Sequence, residues 1–269
     1  MNYQHKQLQD NKNEIGQPHP QRSILSVFVL IFLLCCCQSK TKQTASLSGN
    51  WICQNAADSV LKYQSFVNSP LPPFELVFWE GRDSLLYLNP FEAALFPFKA
   101  VSDKQVSFTG FVDAKLASAL TYQTDSTLTM DNPPFQFTKL PSAWCKPSMM
   151  KGWETGLESY FYRKLLAGVY QVEQTNLPKT LSDSVIVFAD DQSVTGTLRS
   201  NRCQLIMGGD EAEANTDIFH LWNTDSTYSQ YGWKLSGKQL TVYSMKNVSA
   251  ADEKPFYERD KMLLVLRKK

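Results

Sequence analysis

Short runs of β-branched and aromatic residues, separated by turn residues, fill this chain from Trp51 to its last residues. The turns are rich in Gly, Asp, Ser and Lys, and each joins two runs that follow one another directly. Runs of this kind are typical of an all-β sandwich or barrel. Because each turn joins neighbours in the chain, the pattern predicts an up-and-down antiparallel sheet.

The series of strands occurs twice, and each series starts with a related five-residue segment. Residues 47–51 read LSGNW and residues 166–170 read LAGVY, so that Leu, a small residue, Gly and an aromatic residue occupy the same positions. The two series are separated by the stretch 141–152, which is rich in structure-breaking residues. The sequence therefore predicts two β domains, at 47–145 and 152–269.

Two segments have the periodicity of helices and not of strands. Residues 153–165 place Leu157, Tyr160 and Phe161 at intervals of three or four, and residues 57–67 form a comparable segment after the first strand. Apolar residues at this spacing lie on one face of a helix. We expect two short accessory helices that pack beside the sheets.

A predominantly apolar run near the start of the chain indicates export. Residues 24–34 are shorter than the roughly 20 apolar residues of a transmembrane helix, and they match the hydrophobic part of a secretory signal peptide. The polar stretch 37–46 has the Ser, Thr, Lys and Gln composition of a flexible tether. The sequence thus predicts a signal peptide at 1–36 and a tether at 37–46.

The residues Leu34, Cys35, Cys36 and Cys37 resemble the lipobox of bacterial lipoproteins, a Leu-small-small-Cys segment. The resemblance implies that Cys37, or alternatively Cys36, carries a thioether-linked diacylglycerol and fatty acyl chains such as palmitate. It implies a lipid anchor in the outer membrane of a Gram-negative bacterium. Because residues 38–40 include no acidic export signal, the periplasmic face is favoured.

The Gly-any-aromatic segment on a first strand, followed by antiparallel strands and a basic residue on the last strand, resembles the lipocalin or calycin pattern. In that family the aromatic residue closes the barrel floor beneath the cation. The resemblance implies the pairs Trp51 with Lys139 and Tyr170 with Arg267. It implies an all-β fold of two tandem antiparallel lipocalin-like β-barrels with short accessory helices. A cation over an aromatic face contributes roughly 0.5–2 kcal/mol.

Three cysteines, Cys53, Cys145 and Cys203, follow the predicted signal peptide. Export implies an oxidising compartment, in which thiols can pair. Because the first and last strands of a closed barrel are neighbours, Cys53 and Cys145 are predicted to come within bonding distance. The alternative is two buried thiols. Cys203 has no partner in either interpretation.

The segment 89–98 is the best sequence candidate for contact with a ligand or a partner. It holds Phe91, Leu95, Phe96 and Phe98 together with two prolines between hairpins. Exposed apolar patches usually mark a binding surface, and an eight-stranded barrel has room for one small ligand. These four residues are the predicted ligand rim. A loop packed against the core is the alternative.

Residue usage argues against several kinds of chemistry. After residue 36 the sequence contains one histidine, His220, so any catalytic triad would have to be built around it. It lies in a predicted strand between Phe219 and Leu221, where a surface or barrel-lining imidazole is the simpler interpretation. One histidine and one spare cysteine do not make a four-ligand zinc site without carboxylates, which the spacing does not gather. Asp190 and Asp191 form a carboxylate pair in a hairpin turn, where acids are normally solvated. The chain has 27 basic and 26 acidic side chains, a balance unlike that of a nucleic-acid-binding domain. We expect no enzymatic activity, no metal, no cofactor and no nucleic-acid partner.

Together these features predict a lipid-anchored protein of the cell envelope. The expected function is binding of a small apolar or amphipathic ligand in a β-barrel. The alternative is a non-catalytic assembly, sensing or inhibitor protein that acts through an outer surface. The expected membrane contact is the N-terminal lipid, and the sequence does not identify a protein partner.

Overall fold

Eight antiparallel strands close into a barrel in the first part of the chain. The computed structural model describes residues 47–111, 117–147, 154–178, 182–197, 200–207, 215–250 and 255–269. The barrel strands are β1 (Gly49–Cys53), β2 (Glu75–Phe78), β3 (Ser84–Leu88), β4 (Ala93–Ser102), β5 (Gln105–Thr109), β6 (Ala117–Thr124), β7 (Thr127–Asp131) and β8 (Pro134–Lys139). Each strand pairs with the next one, and β1 also pairs with β8. The predicted up-and-down order and a closed barrel are therefore confirmed here.

The barrel interior is filled by apolar side chains over much of its height. Side chains alternate between the two faces of each strand, so residues two apart point inward together. The inward set includes the buried residues Trp51, Leu76, Leu85, Leu128 and Phe137. We call the end of the barrel where β1 begins the floor and the opposite end the mouth.

Two helical segments accompany the sheets. The helix α1 (Gln54–Tyr63) directly follows β1 and ends at Gln64, whose left-handed conformation (φ 50°, ψ 36°) terminates it. The helix α2 (Leu157–Phe161) precedes the second sheet and continues as one π-helical turn at Tyr162–Leu166. The connection from the barrel to α2 holds a 3₁₀ turn at Ser142–Trp144 and a strand pair, β9 (Lys146–Pro147) and β10 (Glu154–Thr155).

The second series of strands forms an eight-stranded antiparallel sheet. Its strands are β11 (Gly168–Thr175), β12 (Ser182–Phe188), β13 (Val194–Thr197), β14 (Ser200–Ile206), β15 (Asp217–Asn223), β16 (Tyr228–Ser236), β17 (Gln239–Asn247) and β18 (Tyr257–Lys268). Their order in space is β13-β12-β11-β18-β17-β16-β15-β14. The first and last strands of the series, β11 and β18, are paired as β1 and β8 are in the barrel.

The two edge strands of this sheet, β13 and β14, are not joined by a ladder in the described residues. An isolated bridge pairs Ser193 with Arg202, and the Cys203 amide donates a hydrogen bond of 2.8 Å to the Gln192 carbonyl. The strand β13 is short and its register against β12 is irregular, which limits the pairing it can offer. The second sheet is therefore not closed, and a second barrel stays a prediction.

The segment that follows α1 packs into the core of the second sheet. The Phe66 ring lies edge-on to Phe161 and Trp233, with centroid distances of 5.2 and 6.3 Å. The Asp217 carboxylate accepts hydrogen bonds from the Phe66 and Val67 amides at 2.6 and 3.2 Å. The barrel and the second sheet thus share apolar and polar contacts, and the predicted domain limits remain a prediction.

Glu75 is a fully buried carboxylic acid on the outer side of β2, where the barrel meets the start of α2. Its Oε2 accepts hydrogen bonds from the Gly156 amide at 3.1 Å and from Asn50 Nδ2 at 3.4 Å. Burial raises the pKa of Glu75 to about 7 in spite of these hydrogen bonds. Below about pH 7 the folded chain therefore favours the protonated acid.

We expect Glu75→Gln to remove a pH-dependent part of the free energy of unfolding. Between about pH 4.5 and 7 the folded chain binds more protons at Glu75 than the unfolded chain does, so stability falls as the pH rises. The shift corresponds to a loss of about 2 kcal/mol between pH 5 and 7.

Urea unfolding of the wild type and Glu75→Gln at both pH values measures this loss. The exposed Glu80→Gln is the control, which should keep the wild-type dependence. An unchanged pH dependence in Glu75→Gln would contradict the assignment.

Candidate functional site

At the floor of the barrel, and at the equivalent position of the second sheet, an aromatic ring lies beneath a lysine. Lys139 Nζ is 5.2 Å from the centroid of the Trp51 ring, and Lys268 Nζ is 5.9 Å from the centroid of the Tyr170 ring. The two members of each pair lie opposite each other on neighbouring strands. The structure thus brings Trp51 and Lys139 together, as the family resemblance implied.

Arg267 does not lie over Tyr170, so this part of the prediction is wrong by one residue. In the β11–β18 ladder Tyr170 lies opposite Lys268, whereas Arg267 lies opposite Gln171. Successive side chains of a strand point to opposite faces, which places Arg267 on the outer face. There its guanidinium forms an ion pair with Glu173.

The leucine of each repeated segment accepts a hydrogen bond from the aromatic residue four positions later. Trp51 Nε1 donates to the Leu47 carbonyl at 2.8 Å, and the Tyr170 hydroxyl donates to the Leu166 carbonyl at 2.8 Å. Both aromatic residues are fully buried, and a buried polar group that lacks a partner is costly. The hydrogen bond therefore fixes the ring and satisfies its polar atom at the same time.

The glycine of each segment makes room for the lysine. Gly49 and Gly168 have φ angles of +124° and +150°, and a Cβ atom there would lie 2.8 and 2.4 Å from the Cε atoms of Lys139 and Lys268. Any other residue would strain the backbone and displace the lysine stem. The repeated Leu-any-Gly-any-aromatic segment is thus a structural motif of the floor and not a reactive site.

Cys53 and Cys145 are not bonded to each other. Although β1 and β8 are neighbours, Cys53 lies opposite Phe137 inside the barrel, and Cys145 follows a 3₁₀ turn beyond the end of β8. Burial raises the pKa of the Cys53 thiol to about 12, so this thiol is unreactive. The predicted disulfide is therefore absent, and Cys203 is also a buried thiol.

The predicted lipid attachment at Cys37, or alternatively Cys36, lies outside the described residues, as do the predicted signal peptide and tether. No helix within the described ranges has the length and apolar character needed to span a bilayer. Those same ranges contain no group of three or more His, Cys, Asp and Glu side chains that could hold a metal ion.

A cavity of about 400 Å³ opens at the mouth of the barrel. Its wall is mainly aromatic and apolar, and it consists of Leu71, Pro72, Phe74, Tyr87, Glu92, Ala94, Phe96, Gly110, Phe111, Pro133 and Phe135. Ligand pockets in proteins commonly have volumes of about 300–1,000 Å³ and are lined in this way. The cavity is therefore the candidate functional site.

Five aromatic rings of the cavity wall pack against one another at the ends of different strands. The Phe74 ring lies 5.4 Å from Tyr87, 5.4 Å from Phe135 and 5.9 Å from Phe111, and the Phe96 ring lies 6.0 Å from Phe111. The interplanar angles are tilted or edge-on, which is the favourable geometry for aromatic pairs. These rings stabilise one another, so the apolar wall is preorganised.

The polar side chains of the cavity wall are Tyr87 on β3 and Glu92 in the turn that follows, and Asn89 connects them. Asn89 Oδ1 accepts hydrogen bonds from the Phe91 and Glu92 amides, both at 2.7 Å, and this arrangement fixes the turn. Asn89 Nδ2 donates to the Tyr87 hydroxyl at 2.8 Å and to Glu92 Oε1 at 3.2 Å. Burial raises the pKa of Tyr87, so the phenol stays neutral.

The predicted rim residues do not share one surface, because Phe91 lies in the turn before β4 and the other three are divided between the two faces of β4. Phe96 lines the cavity, while Phe98 is buried in the core with its ring 5.7 Å from Phe78. Leu95 is 54% exposed on the outer face of β4, and Phe91 is 64% exposed in the turn. Of the four predicted residues, Phe96 belongs to the cavity wall.

Sequence reasoning missed the aromatic residues that complete the wall, namely Phe74, Tyr87, Phe111 and Phe135. Each stands at the mouth end of a strand on its inward face. The period-2 pattern carries this signal, since Phe135, for example, stands two residues before the buried Phe137. Finding them requires the direction of every strand, which the closed barrel defines.

The carboxylate pair Asp190 and Asp191 contacts residues of its own turn and of the preceding helical segment. Arg163 Nη1 lies 2.7 Å from Asp190 Oδ2 in an ion pair. Asp191 Oδ1 accepts a hydrogen bond of 2.9 Å from the Ser193 amide, and hydrogen bonds from Ser193 lower the pKa of Asp191. These contacts are those of a structured turn.

We expect Lys268→Met to destabilise the chain more than Arg267→Met. The first change removes the cation above Tyr170 and should lower the free energy of unfolding by about 1–2 kcal/mol. The second removes an exposed ion pair, which solvent screens and which contributes little to stability. Urea unfolding of both variants measures the difference, and a larger loss in Arg267→Met would contradict the corrected floor pair.

The described residues thus combine a closed eight-stranded barrel, compatible with a lipocalin-like fold, with an aromatic cavity at its mouth. The floor pair Trp51 and Lys139 and the rim acid Glu92 lie at opposite ends of this barrel. A comparison of the chain with protein-family models, curated proteins and solved structures finds no match.

Proposed function

We propose that the protein is a lipid-anchored protein of the cell envelope whose first barrel binds one small apolar or amphipathic molecule. The observation that carries this proposal is the aromatic cavity of about 400 Å³ at the mouth of the closed barrel. Eight-stranded barrels have an interior that either fills with side chains or holds one small ligand. This barrel does both, because its interior is packed over much of its height and space remains at its mouth.

The wall of the cavity favours a ligand with a large apolar part. Phe74, Phe96, Phe111 and Phe135 contribute aromatic surface, and the prolines of the bordering loops add rigid apolar contacts. Burial of apolar ligand surface contributes about 25 cal/mol per Å². Because the rings already support one another, ordering them on binding costs little.

We further propose that the second sheet is a second lipocalin-like barrel. Its strands follow the same meander, its first and last strands pair, and Tyr170 with Lys268 repeats the floor pair. Its interior is occupied by large buried rings, including Phe188, Phe219 and Trp233. The ligand site is therefore assigned to the first barrel.

The proposed location is the periplasmic face of the outer membrane of a Gram-negative bacterium. Its support is the sequence alone: the apolar run at 24–34, the cysteines at 35–37 and the polar stretch at 37–46. In this proposal the attached lipid is the membrane contact, and the folded residues from Leu47 onward lie beside the membrane. No catalytic group is assigned.

A second candidate function is protein interaction through an outer surface, in envelope assembly, sensing or inhibition. It is favoured by the exposed side chains of Phe91, in the turn before β4, and Leu95, on the outer face of β4. Phe91 also borders a groove of about 290 Å³ that includes Phe66 and Met207. Exposed apolar groups of this size are common in binding surfaces.

We expect Ala94→Trp to abolish ligand retention, because Ala94 lines the cavity and an indole there fills it. Ala100→Trp is the matched control, since Ala100 lies on the same strand, is exposed and does not line the cavity. Native mass spectrometry of the full chain purified from its own host should show a retained molecule on the wild type and the control. A wild type without a retained molecule, or equal retention by Ala94→Trp, would contradict the proposed ligand site.

The lipid anchor is tested by growing the host with an alkynyl palmitate analogue and coupling a dye to the recovered protein. We expect labelling of the wild type, loss of labelling in Cys37→Ser and unchanged labelling in Cys36→Ser. Cys203→Ser is a control for the loss of any thiol. Loss in Cys36→Ser alone would move the anchor to that residue, and an unlabelled wild type would contradict the lipid anchor.

A further inference from the structure

The described charged groups around the barrel mouth are acidic. Four segments contribute residues to the cavity wall from the loops, and they are 64–74, 89–92, 109–111 and 131–134. Among the described residues of these segments, the charged side chains are Glu92 and Asp131. Charges of one sign around an apolar cleft create a potential that favours the opposite charge. The described part of the mouth therefore favours a cation over an anion.

Glu92 is the charged residue that lines the cavity itself. Its Oε1 accepts a hydrogen bond of 3.2 Å from Asn89, which holds the carboxylate at the edge of the aromatic wall. Within the described part of the chain it forms no ion pair. A carboxylate that is positioned but not neutralised is suited to a cationic ligand group.

The aromatic wall of the cavity also favours a cationic ligand group. The faces of phenylalanine and tyrosine rings carry the negative end of the ring quadrupole, and they attract ammonium groups. Phe74, Tyr87, Phe96, Phe111 and Phe135 surround one space with rings in several orientations, so that faces and edges are both presented. Several aromatic rings beside one carboxylate are a known arrangement for binding alkylammonium groups.

We infer that the ligand of this cavity is a cationic amphiphile, with an ammonium group beside Glu92 and an apolar chain against the phenylalanines. This inference rests on the proposed function, since it names the chemical class of the molecule that the barrel binds. An anionic amphiphile, such as a fatty acid, places its carboxylate against Glu92 and is disfavoured.

The test uses three water-soluble probes that share one hexyl chain: hexyltrimethylammonium, hexanol and hexyl sulfate. Isothermal titration calorimetry of the full chain in lipid nanodiscs, with empty nanodiscs as the blank, measures the three affinities. We expect hexyltrimethylammonium to bind about five times more tightly than hexanol, and hexyl sulfate to bind most weakly.

The matched variants are Glu92→Gln, which removes the charge at the cavity, and Glu80→Gln, which removes an exposed charge in the turn between β2 and β3. We expect Glu92→Gln to bring the preference for the ammonium probe over hexanol below about twofold while hexanol binding is kept. Glu80→Gln should keep the wild-type preference. Circular dichroism of both variants establishes that they are folded.

The outcomes separate this inference from the proposed function. Equal binding of the three probes, or tighter binding of hexyl sulfate, overturns the inference and leaves ligand binding in the barrel supported. An ammonium preference that persists in Glu92→Gln overturns the role of this carboxylate. Binding of none of the probes to the wild type contradicts the proposed function together with the inference.

Discussion

Closure of the barrel depends on the pairing of β1 with β8, and the pair of Lys139 and Trp51 lies on this seam. The ladder places the two residues opposite each other, and the bare backbone of Gly49 lets the lysine stem cross to the ring. A seam between the first and last strands is the part of a meander with the longest sequence separation, so its closure entropy is the highest. The pair of Trp51 and Lys139 stabilises the contact between β1 and β8, which no turn connects.

The barrel interior is packed over much of its height, and space remains at its mouth. Below the mouth, large buried residues such as Trp51 and Phe137 fill the width of the barrel. At the mouth, aromatic rings from strand ends and loops pack against one another and surround the cavity. The same barrel therefore provides a packed base and, above it, an apolar cavity with the volume of a small-ligand pocket.

The fold class was accessible from the sequence because hairpins and alternating residues are local signals. Which strands meet at the seam is not local, and the error at Arg267 shows the limit: a shift of one residue moves a side chain to the opposite face. The start of α1 was also misplaced, since Cys53 gives no side-chain cap to mark it. Of the predicted rim residues, Phe96 alone lines the cavity. The other rings of the wall come from strand ends that are distant in the sequence, so no local pattern groups them.

The chain after α1 connects the mouth of the barrel with the second sheet. Phe66 and Val67 are held by Asp217, while Leu71 and Phe74 of the same loop line the cavity. Any displacement of this loop therefore changes both sets of contacts at once, because one short segment supplies them both. The hydrogen bonds of Asp217 to this loop thereby link the second sheet to the wall of the cavity.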